Sequence, residues 1–391
     1  MQVALTGFLG LLVAIGIGRF ALTPQLPLMI QAGQLSLTGA SLVAASNYLG
    51  YLAGSLDAMH ARRHGLARLR LGLWLCVACP LLSAWADTAL LQAVLRFVAG
   101  VASAWVLILL TSWTQQVLAL QGQLRLAGSI FTGPAAGIVL VGLAALAIGQ
   151  ASTWPGAGWL AYGLLALGIV LFLQRQLPQT LPPRDEGAPA ALPRSAALYR
   201  LAAGYGLAGF GYILPATFLS QLARGLFPQG AVADVFWPLF GLAALAGVVA
   251  SVRQSHAGSA SLRLALLLWV QAAGVLACVL LPGVWGLGLG AVLVGITFMA
   301  IVQSAVQAGR ELTPQHPQQI AGLLTTCYAV GQLAGPLLAA LGTHWQGSLA
   351  PALLLAALAL LVAGALVYPR ADRRAALTPV NTVARPGAAA D

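Results

Sequence analysis

With 391 residues, 60% of them hydrophobic and only 7% charged, and a mean hydropathy of +0.89, this chain cannot clothe a water-soluble globule. About a quarter of an ordinary globular sequence is charged, so the composition reads as an integral membrane protein. The net charge of +11 does not indicate a nucleic-acid binder, because all 19 basic residues are arginines set between apolar runs rather than along one stripe.

A bilayer core about 30 Å thick takes about 20 mostly apolar residues per helix. Twelve such runs follow one another, at 3–29, 36–59, 67–86, 89–118, 124–149 and 156–174, then at 199–223, 231–252, 263–282, 286–309, 319–342 and 348–368. The first run has no basic segment before it and no small-residue cleavage site followed by soluble sequence, so it reads as a retained helix rather than a cleaved leader. Between the sixth and seventh runs lies the long polar insert, rich in Pro, Gly and charge, which reads as a linker. The expected organisation is an all-α membrane protein of two pseudo-symmetric six-helix bundles, 1–174 and 199–369, with a linker at 175–198 and a polar tail at 370–391.

Orientation follows from the arginines, since cytoplasmic loops retain positive charge. If the N-terminus is cytoplasmic, all arginines but three fall in cytoplasmic loops, the linker or the tail; Arg224 is outside, and Arg19 and Arg96 lie within helices. Trp85, Trp154, Trp159, Trp237, Trp285 and Trp345 then fall near the outer surface, where an amphipathic indole is stable. Both termini are therefore expected in the cytoplasm, and the Arg-only, Ala- and Gly-rich usage suits a bacterial inner membrane.

The halves repeat. At an offset of 193, Gly16 and Gly18 fall on Gly209 and Gly211, Leu49 on Leu242 and Gly54 on Gly247, and Arg19 occupies the repeat position of Tyr212. Gly133-Pro134 in the fifth run is matched by Gly335-Pro336 in the eleventh. Parallel six-helix repeats are a transporter arrangement, with substrate held between the halves and alternating access as the motion.

The residues also resemble a known family. Arg96-Phe-Val-Ala-Gly100 is similar to the R-x-x-x-G segment of the major facilitator superfamily, and Ser129 to Gly137 resembles its antiporter-associated helix 5 signature, from which Ser129 and Ile138 depart. Ala61 to Arg68 resembles the family's gating loop, with Arg62 where an Asp is expected. Gly16-Ile-Gly18-Arg19-Phe20 with Pro24, Asn47-Tyr-Leu-Gly50-Tyr51 and Gly331-Gln332-Leu-Ala-Gly335-Pro336 resemble the YbfB/YjiJ-type subfamily. The resemblance implies secondary transport and proton coupling.

A charged side chain at mid-bilayer costs about 2.5 to 3.5 kcal/mol on insertion scales, so Arg19 and Arg96 are the leading substrate-binding candidates. Arg96 lies about eight residues, roughly 12 Å, from the outer end of its helix. It shares a small and polar stripe with Gly100, Ser103, Thr111 and Thr114. Neither Asp57 nor Asp234, the two acids placed in helices, sits at the midplane, so the expected cavity is positive and suits an organic anion held by guanidinium. Tyr212, Gln303, Gln307 and Tyr328 are candidates for its far end. Thr325 and Gln332 are assigned to packing. Asp57, Arg62, Arg63 and the Gly133-Pro134 and Gly335-Pro336 pairs are the expected gating elements.

Export of lipophilic compounds is an alternative, and a transport-silent sensor or scaffold is one of another class. His60, His64, His256, His316 and His344 stand at loops or helix ends with no Cys or carboxylate at ligand spacing, and no Walker sequence is present, so neither enzyme, metal nor cofactor is expected. The expected partners are a small-molecule substrate, protons and the bilayer, in a monomer.

Overall fold

The computed structural model describes residues 1–60, 64–152, 154–181, 192, 195–229, 231–254 and 259–369. Twelve helices account for the apolar runs, because in lipid a spanning segment must satisfy its own backbone hydrogen bonds. They are α1 (Gln2–Gln31), α2 (Leu37–His60), α3 (Gly65–Ser83), α4 (Ala89–Leu120), α5 (Leu124–Ser129 continuing as Thr132–Ala151), α6 (Pro155–Leu173), α7 (Ala196–Leu226), α8 (Val232–Gln254), α9 (Ala260–Leu280), α10 (Gly283–Leu312), α11 (Pro317–Gln346) and α12 (Ala350–Val367). All but α2 pass as membrane spans by length and apolarity among the described residues. α2 is long enough, at 24 residues. It is more polar because it carries Ser41, Asn47, Tyr48, Tyr51, Ser55 and Asp57.

Local chemistry sets the ends. Ser195, Ser259 and Thr88 each accept a hydrogen bond from the backbone N–H three residues on, at 3.1, 3.5 and 3.3 Å, capping α7, α9 and α4. The Ser195 cap moves the start of α7 three residues before the expected 199. Pro155 opens α6 in the first turn, where its missing N–H costs nothing.

Two helices are not the uniform cylinders their sequences suggest. α1 underwinds at mid-length: Gly18 N–H reaches Val13 O at 2.8 Å and Phe20 N–H reaches Ile15 O at 3.1 Å, the i to i+5 spacing of a π turn. α5 breaks at Ile130–Phe131, so Pro134 falls in the first turn of the resumed helix.

The repeat is written in the packing. A Cβ on Gly100 would strike Asn47 O and the Tyr51 amide, and one on Gly295 would strike Phe240 O and the Ala244 amide. Likewise Gly54 abuts Val101 as Gly247 abuts Ile296. The α2–α4 seam therefore reappears as the α8–α10 seam, at an offset of 193 for α8 and 195 for α10. α3, α6, α9 and α12 lie at the periphery and turn large apolar side chains outward, among them Leu71, Leu164, Phe172, Leu266 and Leu358. α1 and α7 are buried along most of their length.

Helix count puts the N-terminus and the linker on one face, and the Thr6 hydroxyl donates to Gln176 Oε1 at 3.0 Å there. This linker face contrasts with the opposite face, which carries residues 32–36, 84–88 and 347–349. The linker is anchored where it begins: Leu177 is buried and Leu181 packs on the core. Residues 182–191 and the tail from 370 lie outside the described residues. Trp85, Trp154, Trp285 and Trp345 are exposed on the opposite face, whereas Trp159 and Trp237, expected there too, are completely buried. Each lies about one turn inside its helix on the face turned to protein.

Candidate functional site

The π turn of α1 ends just before Arg19. An extra residue in one turn rotates everything after it, and here it turns the guanidinium across the boundary between the halves. Arg19 is 7% exposed, and its Nη2 donates to Gln332 Oε1 of α11 at 2.6 Å. Gln332 Nε2 in turn donates to the Tyr212 hydroxyl of α7 at 3.4 Å. One amide thus joins the two residues that occupy the same position in the two repeats.

Aromatic rings surround this chain. The Arg19 guanidinium carbon lies 4.3 Å from the ring centre of Tyr51, 5.0 Å from that of Tyr48 and 5.7 Å from that of Phe20. Such cation–π contacts stabilise by about 2 kcal/mol or more when desolvated. On the α7 side Tyr205 stacks on Tyr328 at 4.5 Å, Tyr328 on Tyr212 at 5.7 Å and Tyr212 on Phe298 at 4.7 Å, forming a column of four rings.

The halves are tied above this level toward the opposite face. Tyr48 and Thr217 hydroxyls lie 2.9 Å apart, the Thr23 hydroxyl donates to Ala216 O at 2.9 Å, and Thr38 and Thr343 meet at 3.2 Å. Gly142 lies against Pro238, closing α5 on α8. Toward the linker face the interface residues are less buried: Gly206, Leu207, Leu323, Thr325 and Tyr328 are all partly exposed. The structure is closed on the opposite face and loosened on the linker face.

The two candidate arginines part company here. Arg96 is fully buried, but inside the first half: its Nη2 donates to Ser83 Oγ at 3.1 Å and its guanidinium sits 4.5 Å from the Trp159 ring centre. The stripe that was expected to bring it to the cavity faces inward, because Gly100 packs on the α2 backbone and the Ser103 hydroxyl donates to Ala14 O of α1 at 2.7 Å. The expectation that Arg96 faces the same space as Arg19 is therefore corrected.

Gln303 and Gln307 are also relocated. Both line a crevice within the second half, between α8, α9 and α10, where Gln307 Oε1 accepts from Arg263 Nη2 at 3.3 Å. Tyr212 and Tyr328, by contrast, stand at the interface with Arg19. Asp57 is held by Arg68, with Nε at 2.8 Å and Nη2 at 3.3 Å, and by the Trp105 indole N–H at 2.7 Å. Arg62 and Arg63 lie outside the described residues. Gly133 abuts Phe8 O, and Gly16 meets Gly137, so the α5 signature forms a close α1–α5 seam. Gly331 against Gly206 and Gly335 against Ile213 form the matching α7–α11 seam, with Pro336 inside a continuous helix.

Sequence reasoning passed over Tyr48, Tyr51 and Thr217 as site residues. The signal was present, since Tyr48 and Tyr51 lie in the segments that carry the subfamily resemblance. Gln332, assigned to packing, holds α11 against α1 and α7 through its hydrogen bonds to Arg19 and Tyr212.

A family model described as an uncharacterised MFS-type transporter, YbfB, matches residues 11–368. The chain belongs to this family. It is a multi-pass membrane transporter of the major facilitator fold, a family of secondary transporters acting on small molecules. Solved structures agree at the level of fold. The D-xylose-proton symporter superposes with a TM-score of 0.74 at 13% identity over 94% of this chain and 97% of its own. The nucleoside transporter NupG gives 0.69 at 13% over 94% and 98%, and the human organic anion transporter MFSD10 gives 0.64 at 20% over 94% and 99%. Among curated proteins none matches.

Proposed function

We propose that this transporter moves a small organic anion across a bacterial inner membrane by alternating access, with Arg19 as the charge that receives it. The observation that carries the reading is the company Arg19 keeps. Its hydrogen-bond partners, the Gln332 amide and the Tyr51 hydroxyl, are neutral and its other neighbours are aromatic rings, while the two salt bridges among the described residues, Arg68–Asp57 and Arg224–Asp234, lie elsewhere. A guanidinium withdrawn from water loses several kcal/mol of hydration, and an uncharged carbonyl replaces only part of it. A carboxylate or phosphate supplies the rest through charge-assisted bonds that contribute about 1.5 to 3 kcal/mol each.

In this reading the anion enters from the linker face, taken as cytoplasmic from the arginine distribution, and displaces Gln332 Oε1 from Arg19. The Arg19–Gln332–Tyr212 chain ties α1 to α11 and α7, so an anion that competes for Arg19 also weakens the closure on the opposite face. Proton coupling belongs to the proposal on the family resemblance. Asp57, clamped by Arg68 and Trp105, serves as the gating carboxylate on the linker face, and the glycine seams of α1–α5 and α7–α11 as the surfaces that move as rigid pairs.

The aromatic column favours a second reading, export of a lipophilic compound that stacks on Tyr205 and Tyr328. A thermal-stabilisation screen of the purified protein against organic acids, amines and uncharged drug-like compounds separates the two. Stabilisation by carboxylates that disappears in Arg19→Gln supports anion transport. Equal stabilisation in wild type and Arg19→Gln removes it in favour of the apolar ligand.

A further inference from the structure

The guanidinium of Arg19 has one fork of donors that is half used. Nε and Nη2 lie on the same side of the planar group, the arrangement that grips a carboxylate through two parallel hydrogen bonds. Nη2 donates to Gln332 Oε1 at 2.6 Å. In a side chain only 7% exposed, Nε is buried with no hydrogen-bond partner. A single amide oxygen therefore stands where a carboxylate brings two.

The charge of the site is as informative as its geometry. Among the described residues the groups that act electrostatically on Arg19 are Tyr48, Tyr51, Tyr212 and Tyr328, all uncharged. A monoanion neutralises such a site, whereas a dianion leaves one charge withdrawn from water and unpaired. A phosphate monoester, close to doubly charged at neutral pH, belongs with the dianions.

The body of the ligand is addressed by the other half. In the register of the repeat, Tyr205, Tyr212 and Phe298 correspond to Leu12, Arg19 and Ser103, so the first half supplies the cation and the second the rings. Successive rings of the Tyr205–Tyr328–Tyr212–Phe298 column lie within 23° of parallel. Tyr205 is two turns, about 10 Å, nearer the linker face than Tyr212. Tyr328, between them in the column, is partly exposed. The column thus leads from the loosened face to Arg19. Aromatic rings attract another ring, stacked or edge to face, beyond the area buried, and offer a saturated body the area alone.

We propose that the cargo is a planar monocarboxylate, with the carboxylate conjugated to an aromatic or heteroaromatic ring. The carboxylate takes Arg19 Nε and Nη2 in place of Gln332 Oε1, and the ring lies along Tyr205, Tyr328 and Tyr212. This rests on Arg19 being the receptor of an anion, as proposed above, and adds the number of charges and the shape of the body.

The test is isothermal titration calorimetry of the purified full chain with four probes: benzoate, its saturated analogue cyclohexanecarboxylate, the dianion terephthalate and uncharged benzamide. In the wild type benzoate is expected to bind at least about tenfold more tightly than each of the others. Arg19→Gln is expected to remove that binding. Tyr328→Leu is expected to bring the benzoate and cyclohexanecarboxylate affinities within about twofold of each other, and Tyr328→Phe, which keeps the ring, to preserve their ratio. Because the ratio is taken within one protein, partial loss of folded material does not change it. Equal affinity of the wild type for benzoate and cyclohexanecarboxylate, both lost in Arg19→Gln, overturns the planar-acid assignment and leaves the anion reading standing. A ratio unchanged in Tyr328→Leu, or tighter binding of terephthalate than of benzoate, also overturns the assignment. Absence of Arg19-dependent binding of either monocarboxylate overturns the assignment together with the anion reading beneath it, and benzamide binding as tightly as benzoate returns the site to an apolar ligand.

Discussion

Two buried arginines in one helical half look alike in the sequence and differ in what surrounds them. Arg19 faces the partner half through Gln332, and its loss removes the positive charge of the interface. Arg19→Gln is expected to abolish saturable anion uptake in proteoliposomes, while Arg19→Lys retains charge without the planar fork and raises the apparent KM by about tenfold to a hundredfold. Uptake kinetics of the two variants side by side check this. Arg96 is enclosed by Ser83, Trp159 and the backbone of its own half. Replacing a buried ion by an apolar chain of similar length is often neutral or stabilising, whereas truncation leaves a cavity. Arg96→Met is therefore expected to transport with an unchanged KM, and Arg96→Ala to lose thermal stability by about 2 to 5 kcal/mol, read from denaturation of the purified protein.

At the scale of the element, glycine decides how closely helices approach. With a Cβ at Gly100 meeting the Asn47 carbonyl and one at Gly295 meeting the Phe240 carbonyl, neither seam has room for a methyl group. Backbone atoms cannot rotate away as a side-chain tip can. Gly100→Val or Gly295→Val is expected to lower stability by at least about 1 to 3 kcal/mol, the usual cost of overpacking, with comparable losses in the two variants because the two positions are repeat counterparts. Parallel melting curves test the symmetry as well as the magnitude.

How much of these elements was legible follows from the same chemistry. The apolar runs, the linker and the repeat of Gly54 and Gly247 were visible because lipid demands continuous apolar segments and backbone contact demands glycine at fixed places. The facing of Arg96, Gln303 and Gln307 was not. A helix between lipid and protein is apolar nearly all round, so hydrophobic periodicity does not set its rotation. The π turn of α1 was hidden too, since Leu12–Ile17 carries no proline and no polar residue to betray the extra residue in the turn.

For the whole molecule, closure on the opposite face rests on a few polar ties between halves: Thr38 with Thr343, Tyr48 with Thr217, Thr23 with Ala216 and Arg19 with Gln332. Each exposed on separation is hydrated, so the neutral ties contribute about 0.5 to 1.5 kcal/mol apiece and the charge-assisted Arg19 bond about 1.5 to 3, small enough for a substrate to overcome. A Thr38→Cys/Thr343→Cys pair is expected to oxidise to a disulfide, hold the halves together and stop transport, with recovery on reduction. Uptake before and after reductant measures it, and transport that continues at full rate in the oxidised pair contradicts an alternating opening at this face.

What the sequence determined on its own was the number of crossings, the two-fold repeat, the positive loops and the presence of two intramembrane cations, all consequences of short-range composition acting against a bilayer. Which side chains meet was decided by the tertiary structure alone. Arg19 reaches Gln332 across more than three hundred residues of sequence because a π turn rotates α1 and the outer seams bring the halves together, while Arg96 stays inside the first half against Ser83 and Trp159. Both outcomes depend on helix rotation and on contact between distant segments, and neither quantity is encoded in the order of apolar and polar residues along one helix.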